Sequence, residues 1–377
     1  MARKNRVSVR DGIYHITTRI ANRAMLLAKD EVKERIMEWI FSVADFSGVE
    51  VWAFCIMDNH LHLFVHVPLV PERFWLDPAN EPAAYAFGMR PRECRAPLWS
   101  PDGDCPRAAR PDLGFMLDDA EMLGRLARLY SPGRAESIGR KWDELRKGGL
   151  GHLVDEQKER YCRRMYNLSQ FAKTLKERVS MWFNAAYGHA GCLWEGRFRS
   201  GVVERAEVVK AVVAAYVGFN PVKAKIAASP VRWRWSSYAL AVTDKGSYGA
   251  RCRTMYERML NRPWEDVRSM LESMYADKLP DDVSPEVLKE WLDDYDETAN
   301  EDKAEERTGV GQYRASQAIR VTMRLFSGDY IGRDQMFFDH VVGQLPKDFP
   351  CAGSRSVRRC SAFMWELPQV QRMEGVA

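Results

Sequence analysis

Residues 49–67 read "VEVWAFCIMDNHLHLFVHV", and the way they fold decides the arrangement of everything around them. The flanks, 49–57 and 60–67, are runs of β-branched and aromatic residues of strand length. Only Asp58 and Asn59 separate them, which is the spacing of a tight hairpin. Side chains alternate between faces along a strand, so His60 and His62 share one face, roughly 6 to 7 Å apart along the chain. His66 falls on the same face about 13 Å beyond His62. Two imidazoles so placed can hold one metal ion, although a His-x-His pair alone is also compatible with a partly exposed or hydrogen-bonded structural pair.

Upstream, "IYHITTRI" (13–20) reads as a further strand. Between it and the hairpin, Lys29 to Ser47 sets Val32, Ile36, Trp39, Ile40 and Val43 at helical spacing, giving an amphipathic helix stopped by Gly48. From Pro68 to about Asp112, Pro, Arg and Gly recur without periodicity, and this stretch (about 68–112) is expected to be a surface insertion. Helices are expected over 118–130 and 134–147, followed by one long basic helix from about Gln157 to Tyr187. "GHAGCLWEGRFRSGVVE" (188–204) then leads into a strand, and "AEVVKAVVAAYVGF" (206–219) into a helix that should stop at Asn220-Pro221. Strand, helix, two strands, helices, strand, helix is the order of an α+β protein. The expected fold is a ferredoxin-like (RRM-like) antiparallel sheet with covering helices, a plan that many unrelated activities share.

At 377 residues and 46% hydrophobic, the chain can bury a substantial core in two or three domains. It has no apolar run of membrane-spanning length, and "MARKNRVSVRDG" (1–12) lacks the apolar centre of a signal peptide, so a soluble intracellular protein is expected. The eight cysteines include no Cys-x-x-Cys pair, which argues against a zinc ribbon or a disulfide framework. Net charge is +4, but residues 281–307 carry twelve acidic and three basic side chains, leaving +13 on the remainder. That distribution suits a polyanionic partner, and surface solubility alone would also produce it. Residues 241–307 read as a helical and acidic linker region. Residues 308–377 read as a helical C-terminal extension, in which "SGDYIG" (327–332) separates two helical patterns. With Arg314, Arg320, Arg324 and Arg333, the extension is either an accessory DNA-reading module or a packing appendage.

"MDNHLHLF" (57–64), "GCLWEGRFRS" (191–200), "AYVGFNPVKAKI" (215–226) and "RWRWSSY" (232–238) occur together in an order and spacing that resembles the single-tyrosine HUH transposases. The likeness is greatest to the REP-associated tyrosine transposases and their insertion-sequence relatives. It covers roughly residues 5–240 and makes 1–240 the expected transposase domain. The resemblance implies a strand transferase acting on single-stranded DNA next to hairpins, with a divalent cation, Mg²⁺ or Mn²⁺, on His60 and His62. It implies Tyr216 as nucleophile and Asn220 as the third metal-ligand position. A nucleoid-associated cytoplasmic location follows from such a role, and a homodimer is left open because family members differ on it.

The same residues can be read without the family. Tyr216 and Asn220, at i and i+4, lie on one helical face. A phenol with its ordinary pKa near 10 needs a nearby cation or base to attack at neutral pH. A covalent phosphotyrosine would conserve bond energy for rejoining, and the chain has no G-x-x-x-x-G-K-[ST] loop for ATP. The alternatives are that Tyr216 is a core aromatic, that Asn220 caps the helix before Pro221, and that His15 and His66 are structural rather than reserve ligands. For DNA binding, Arg197 and Arg199 alternate with Phe198, so both can face a phosphate backbone while Phe198 packs inward. Arg19, Lys173, Lys176 and Arg178 are further DNA-binding candidates. Trp194 either stacks on an unpaired base or seals the end of the sheet. Two other functional classes compete: a hairpin-DNA-binding protein without strand transfer, and an RNA-binding module, which would want paired aromatic strands that are missing here.

Overall fold

The computed structural model describes Val9, residues 11–76, residues 114–276 and residues 330–331. Its centre is the expected hairpin. Strand β2 (Glu50–Ile56) and strand β3 (His60–Val67) pair antiparallel, and β1 (Gly12–Arg19) pairs antiparallel with the other edge of β3. Helix α1 (Asp30–Ser47) connects β1 to β2 and ends on Gly48, whose φ of 71° is the left-handed conformation that glycine adopts without strain. After α2 (Asp119–Leu129), α3 (Pro132–Lys147), α4 (Gly151–Cys162) and α5 (Leu168–Tyr187), strand β4 (Arg199–Val203) returns to pair antiparallel with β1. The order β2-β3-β1-β4 is the ferredoxin-like arrangement expected from the order of elements.

The two sheet faces differ in chemistry. Leu61, Leu63, Val65, Phe54 and Ile16 are buried on one, where each contributes on the order of 1.5–3 kcal/mol by leaving water. Helix α1 covers this face, with the Phe41 and Phe54 rings 5.6 Å apart, and α5 packs on α1 through Trp39 and Trp182 at 5.7 Å. The other face carries His60 and His62 and is approached by α6 (Glu207–Lys223). Helices α7 (Ser237–Thr243), α8 (Ser247–Leu260) and α9 (Trp264–Ala276) follow. They make residues 241–276 helical as expected, whereas residues 277–307 of the acidic region lie outside the described residues. The free edge of β2 is covered by the chain leading into α7: Ile56 N–H donates to Trp235 O at 2.9 Å and Phe54 N–H to the Ser237 hydroxyl at 3.0 Å.

Three expectations change. The long basic helix is two helices, because Asn167 starts α5 by accepting the Gln170 N–H at 3.0 Å, and Tyr166 just before it has a φ of 49°. Helix α6 runs through Pro221 to Lys223: Pro221 sits in the last turn, where its missing N–H costs a single bond, to the Val217 carbonyl. Inside the "SGDYIG" break, Tyr330 and Ile331 form β5, parallel to β4; the rest of 308–377 lies outside the described residues. At the insertion, Trp75 and Phe115 pair as an isolated bridge, and residues 77–113 lie outside the described residues.

Candidate nucleic-acid cleavage site

Strand register brings the site together. Arg19 stands opposite His60, Thr17 opposite His62, and Thr17 on its other side opposite Arg199, so these side chains share the α6 face of the sheet. Tyr216 lies over them, its ring edge-on to both His62 and His15 at 5.7 Å between centroids. His15, His62, Asn220 and Tyr216 are 4%, 5%, 6% and 8% exposed, so the cluster sits beneath the helix rather than on the surface. Asn220 and Lys223 follow Tyr216 on the same helical face, with the Lys223 ammonium 6.0 Å from the Tyr216 ring centroid.

Hydrogen bonds fix the state of His60. The Asn59 side chain gives its NH₂ to the Arg23 carbonyl at 3.0 Å, which turns Oδ1 toward His60 Nδ1 at 2.7 Å. Oδ1 only accepts, so Nδ1 carries the proton and Nε2 keeps its lone pair for a metal. His62 Nδ1 contacts His15 Nε2 at 3.0 Å and the Thr17 hydroxyl at 3.4 Å, leaving Nε2 as its outward donor atom. Burial pushes the His60 imidazole down to about 4, with Arg19 and Lys223 adding to the shift, and His15 down to about 3. His62 is held well below its ordinary value by burial first, then by His60, His15, Lys223 and Arg19. All three rings are therefore neutral at pH 7, the form that coordinates a cation.

The turn that aims the histidines is staked from outside. Lys33, 1% exposed, donates to the Ala28 carbonyl and pairs with Asp58 at 2.8 Å. The Asp58 and Asn59 carbonyls accept from Leu27 and Ile20 N–H.

Asn220 is not a helix cap. It lies inside α6, and its Nδ2 donates to the Tyr216 carbonyl at 2.9 Å, so Oδ1 is the atom left to act as a ligand. His66 belongs to a different cluster: its ring nitrogens meet Asp11 at 2.8 Å and Glu50 at 2.9 Å, and Trp52 stacks on it at 5.0 Å. Among the described residues, no three His, Cys, Asp or Glu side chains converge on one point. His60, His62 and the Asn220 oxygen would nonetheless offer two neutral imidazoles and one amide oxygen to a divalent cation.

Arg19, Arg197 and Arg199 line one open cleft of about 220 Å³ with Thr17, Glu195 and Gly196. Arg197 and Arg199 are exposed and Phe198 is buried between them. Lys176 reaches the Gly196 carbonyl on the rim of that cleft. Lys173 is exposed and paired with Glu177, and Arg178 packs over the Tyr130 ring, so neither joins the cleft lining. Trp194 is buried, its Nε1 donating to the Lys176 carbonyl at 3.1 Å, and it seals the end of the sheet through its bridge to Ile20.

Residues 8–72, which hold β1, α1 and the histidine hairpin, match the family described as "Transposase IS200 like". No curated protein matches the chain. Among solved structures, the chain is similar to one described as "Structure of the REP associates tyrosine transposase bound to a REP hairpin", at 13% identity over 65% of this chain and 87% of that one, with a TM-score of 0.33. A likeness at that score bears on neither mechanism nor substrate. No described helix is long and apolar enough to cross a membrane.

Three residues beside the histidine cluster carried no expectation from the sequence. Lys223 stands seven residues after Tyr216, two helical turns on, inside the "NPVK" already quoted, and that spacing was its available signal. Asn59 was visible only as a turn residue, because its role needs the Arg23 carbonyl that the fold brings to it. Glu195 had no signal beyond its place between Trp194 and Arg197.

Proposed function

We propose that this protein cuts and rejoins single-stranded DNA next to hairpins through a 5′-phosphotyrosine on Tyr216. The observation that carries the reading is the Tyr216 ring edge-on to His62 and His15 at 5.7 Å, on a helix that crosses the histidine face of the sheet. His60, His62 and Asn220 would hold a divalent cation, Mg²⁺ or Mn²⁺, which when bound supplies Lewis-acid polarisation of the scissile phosphate. The Tyr216 oxygen attacks phosphorus, the bond from phosphorus to the 3′-oxygen breaks, and the departing 3′-oxygen takes up a proton as the phenol loses one. The Lys223 ammonium, 6.0 Å from the ring, favours the phenolate by its charge. Arg19, Arg197 and Arg199 hold the flanking backbone, and a second 3′-hydroxyl reverses the attack to reseal the strand. Among the residues first singled out, Lys173, Lys176 and Arg178 are assigned to longer-range attraction of DNA, not to contact at the scissile phosphate.

Labelled hairpin DNA with single-stranded flanks, taken from beside the protein's own gene, tests this with Mn²⁺ or EDTA and with Tyr216→Phe. The expected result is a denaturant-resistant protein-DNA adduct that needs both Mn²⁺ and Tyr216. Binding with no adduct under any divalent ion would leave a hairpin-binding protein without strand transfer. An adduct that survives Tyr216→Phe would assign the wrong nucleophile.

A further inference from the structure

The cleft beside the histidines carries charges that the protein itself does not match. Several arginines elsewhere on the described surface sit in ion pairs, among them Arg205 with Asp11, Arg251 with Asp45 and Arg262 with Glu207. Arg19, Arg197, Arg199 and the carboxylate of Glu195 line one cleft, yet none of their side chains has an ion-pair or hydrogen-bond partner among the described residues. Glu195 is nonetheless held in place by its backbone. Its N–H donates to Arg19 O at 2.9 Å, extending the Ile20–Trp194 bridge, and Lys176 fastens the next residue through the Gly196 carbonyl. A carboxylate on an anchored backbone, lining one cleft with three unpaired guanidiniums, one strand step from His60 through the Arg19 register pair, is a recognition pattern rather than a plain phosphate track. A phosphate track has no use for the carboxylate, which repels DNA.

We propose that this cleft takes one unpaired guanine of the single strand flanking the cleavage point, with Glu195 reading its Watson–Crick edge. The proposal rests on the DNA-cleaving reading above. Guanine presents two adjacent donors, N1–H and N2–H, which match the two oxygens of a carboxylate. On its other edge, O6 and N7 form the acceptor pair that a guanidinium addresses. Adenine and cytosine each place an acceptor nitrogen beside their single exocyclic donor, and thymine flanks its N–H with two carbonyl oxygens, so each would set a lone pair against Glu195. The cleft, about 220 Å³, has room for one base.

Fluorescence anisotropy in EDTA, with labelled dT₇ and its variants carrying a central dG, dI, dA or dC, isolates the cleft from any cation. For the full-length protein, dG is expected to bind at least about tenfold tighter than dA, dC or dI, inosine lacking the N2 amine. Glu195→Ala should erase that preference, and Glu195→Gln, now one acceptor and one donor, should move it to dA or dC. Tyr216→Phe should leave it intact. Absence of a dG preference in the wild type, or its survival in Glu195→Ala, would overturn the assignment. So would a uniform tightening for every oligonucleotide in Glu195→Ala, which is the signature of a removed negative charge. A dG preference without any covalent adduct would uphold the subsite and sink the strand-transfer reading, while an adduct without base preference would do the reverse.

Discussion

The side chain with the largest effect for its size is Asn59, because it decides which nitrogen of His60 carries a proton. Removing it frees the ring to take the other tautomer or to rotate. Asn59→Ala is therefore expected to weaken Mn²⁺ binding by about 10–100-fold, as read by electron paramagnetic resonance of free Mn²⁺. Asn59→Asp, which still accepts from Nδ1, should recover most of the loss, and equal affinity in all three proteins would refute the tautomer argument. The buried histidines also give stability a pH dependence whose sign is fixed. The folded imidazoles resist protonation, with His60 near 4 and His15 near 3, whereas the unfolded ones take protons near 6.5. Between about pH 6.5 and 4 the unfolded state binds more protons, so stability falls as the pH drops through that window and rises as it climbs. Thermal melts of the cation-free protein should lose Tm from pH 7 to pH 5, and His15→Gln should flatten that slope. A slope unchanged by His15→Gln would locate the proton uptake elsewhere. The shared face of His60 and His62 was legible because strand alternation survives in one dimension, whereas Tyr216 read on its own as a core aromatic. The contact of Asn59 was not legible, since it depends on the Arg23 carbonyl that only the folded chain supplies.

Among the elements, the β2–β3 turn shows how a local signal and a distant support combine. "DN" between two apolar runs was enough to predict the hairpin, but Lys33 on α1 pins it, and a lysine inside an amphipathic helix reads in sequence as solvated. Lys33→Met would leave Asp58 without its partner and release the Ala28 carbonyl, at an expected cost of about 3 kcal/mol in urea unfolding. It should also loosen cation binding through the adjacent histidines, whereas a change under 1 kcal/mol would mean that the backbone bonds to Asp58 and Asn59 suffice. The divided basic helix carries a second lesson. Periodicity ran through residues 163–167 without a break, and the capping geometry of Asn167 with the left-handed Tyr166 before it separates α4 from α5. Asn167→Ala should cost about 1 kcal/mol by the same measurement. Helix α6 erred the other way, because a proline in a final turn does not end a helix that has no further bonds to lose there.

For the whole molecule, alternation of apolar and polar positions told the sequence reader that one face of the sheet would be buried. It could not say that α6 would cross the other face and deliver Tyr216, because that placement depends on packing between residues about 150 positions apart. The excursion after residue 68 was legible as lacking periodicity, but its closure was not: Leu76 N–H meets Gly114 O at 3.0 Å and Met116 N–H meets Phe74 O at 2.8 Å. Those bonds make the two ends neighbours, so the chain can be opened between them without undoing either half. A break anywhere within 77–113 leaves one piece holding β1, α1 and the histidine hairpin, and another holding α5, β4 and α6, joined by the β1–β4 ladder and the α1–α5 contact. The two imidazole donors then travel on one polypeptide and the tyrosine on the other. Co-expressed as separate chains with purification handles, the halves should be recovered together in equal amounts, and neither alone should form an adduct. The protein would thus become a two-component complementation system in which the histidine pair and Tyr216 are mutated, labelled and recombined independently.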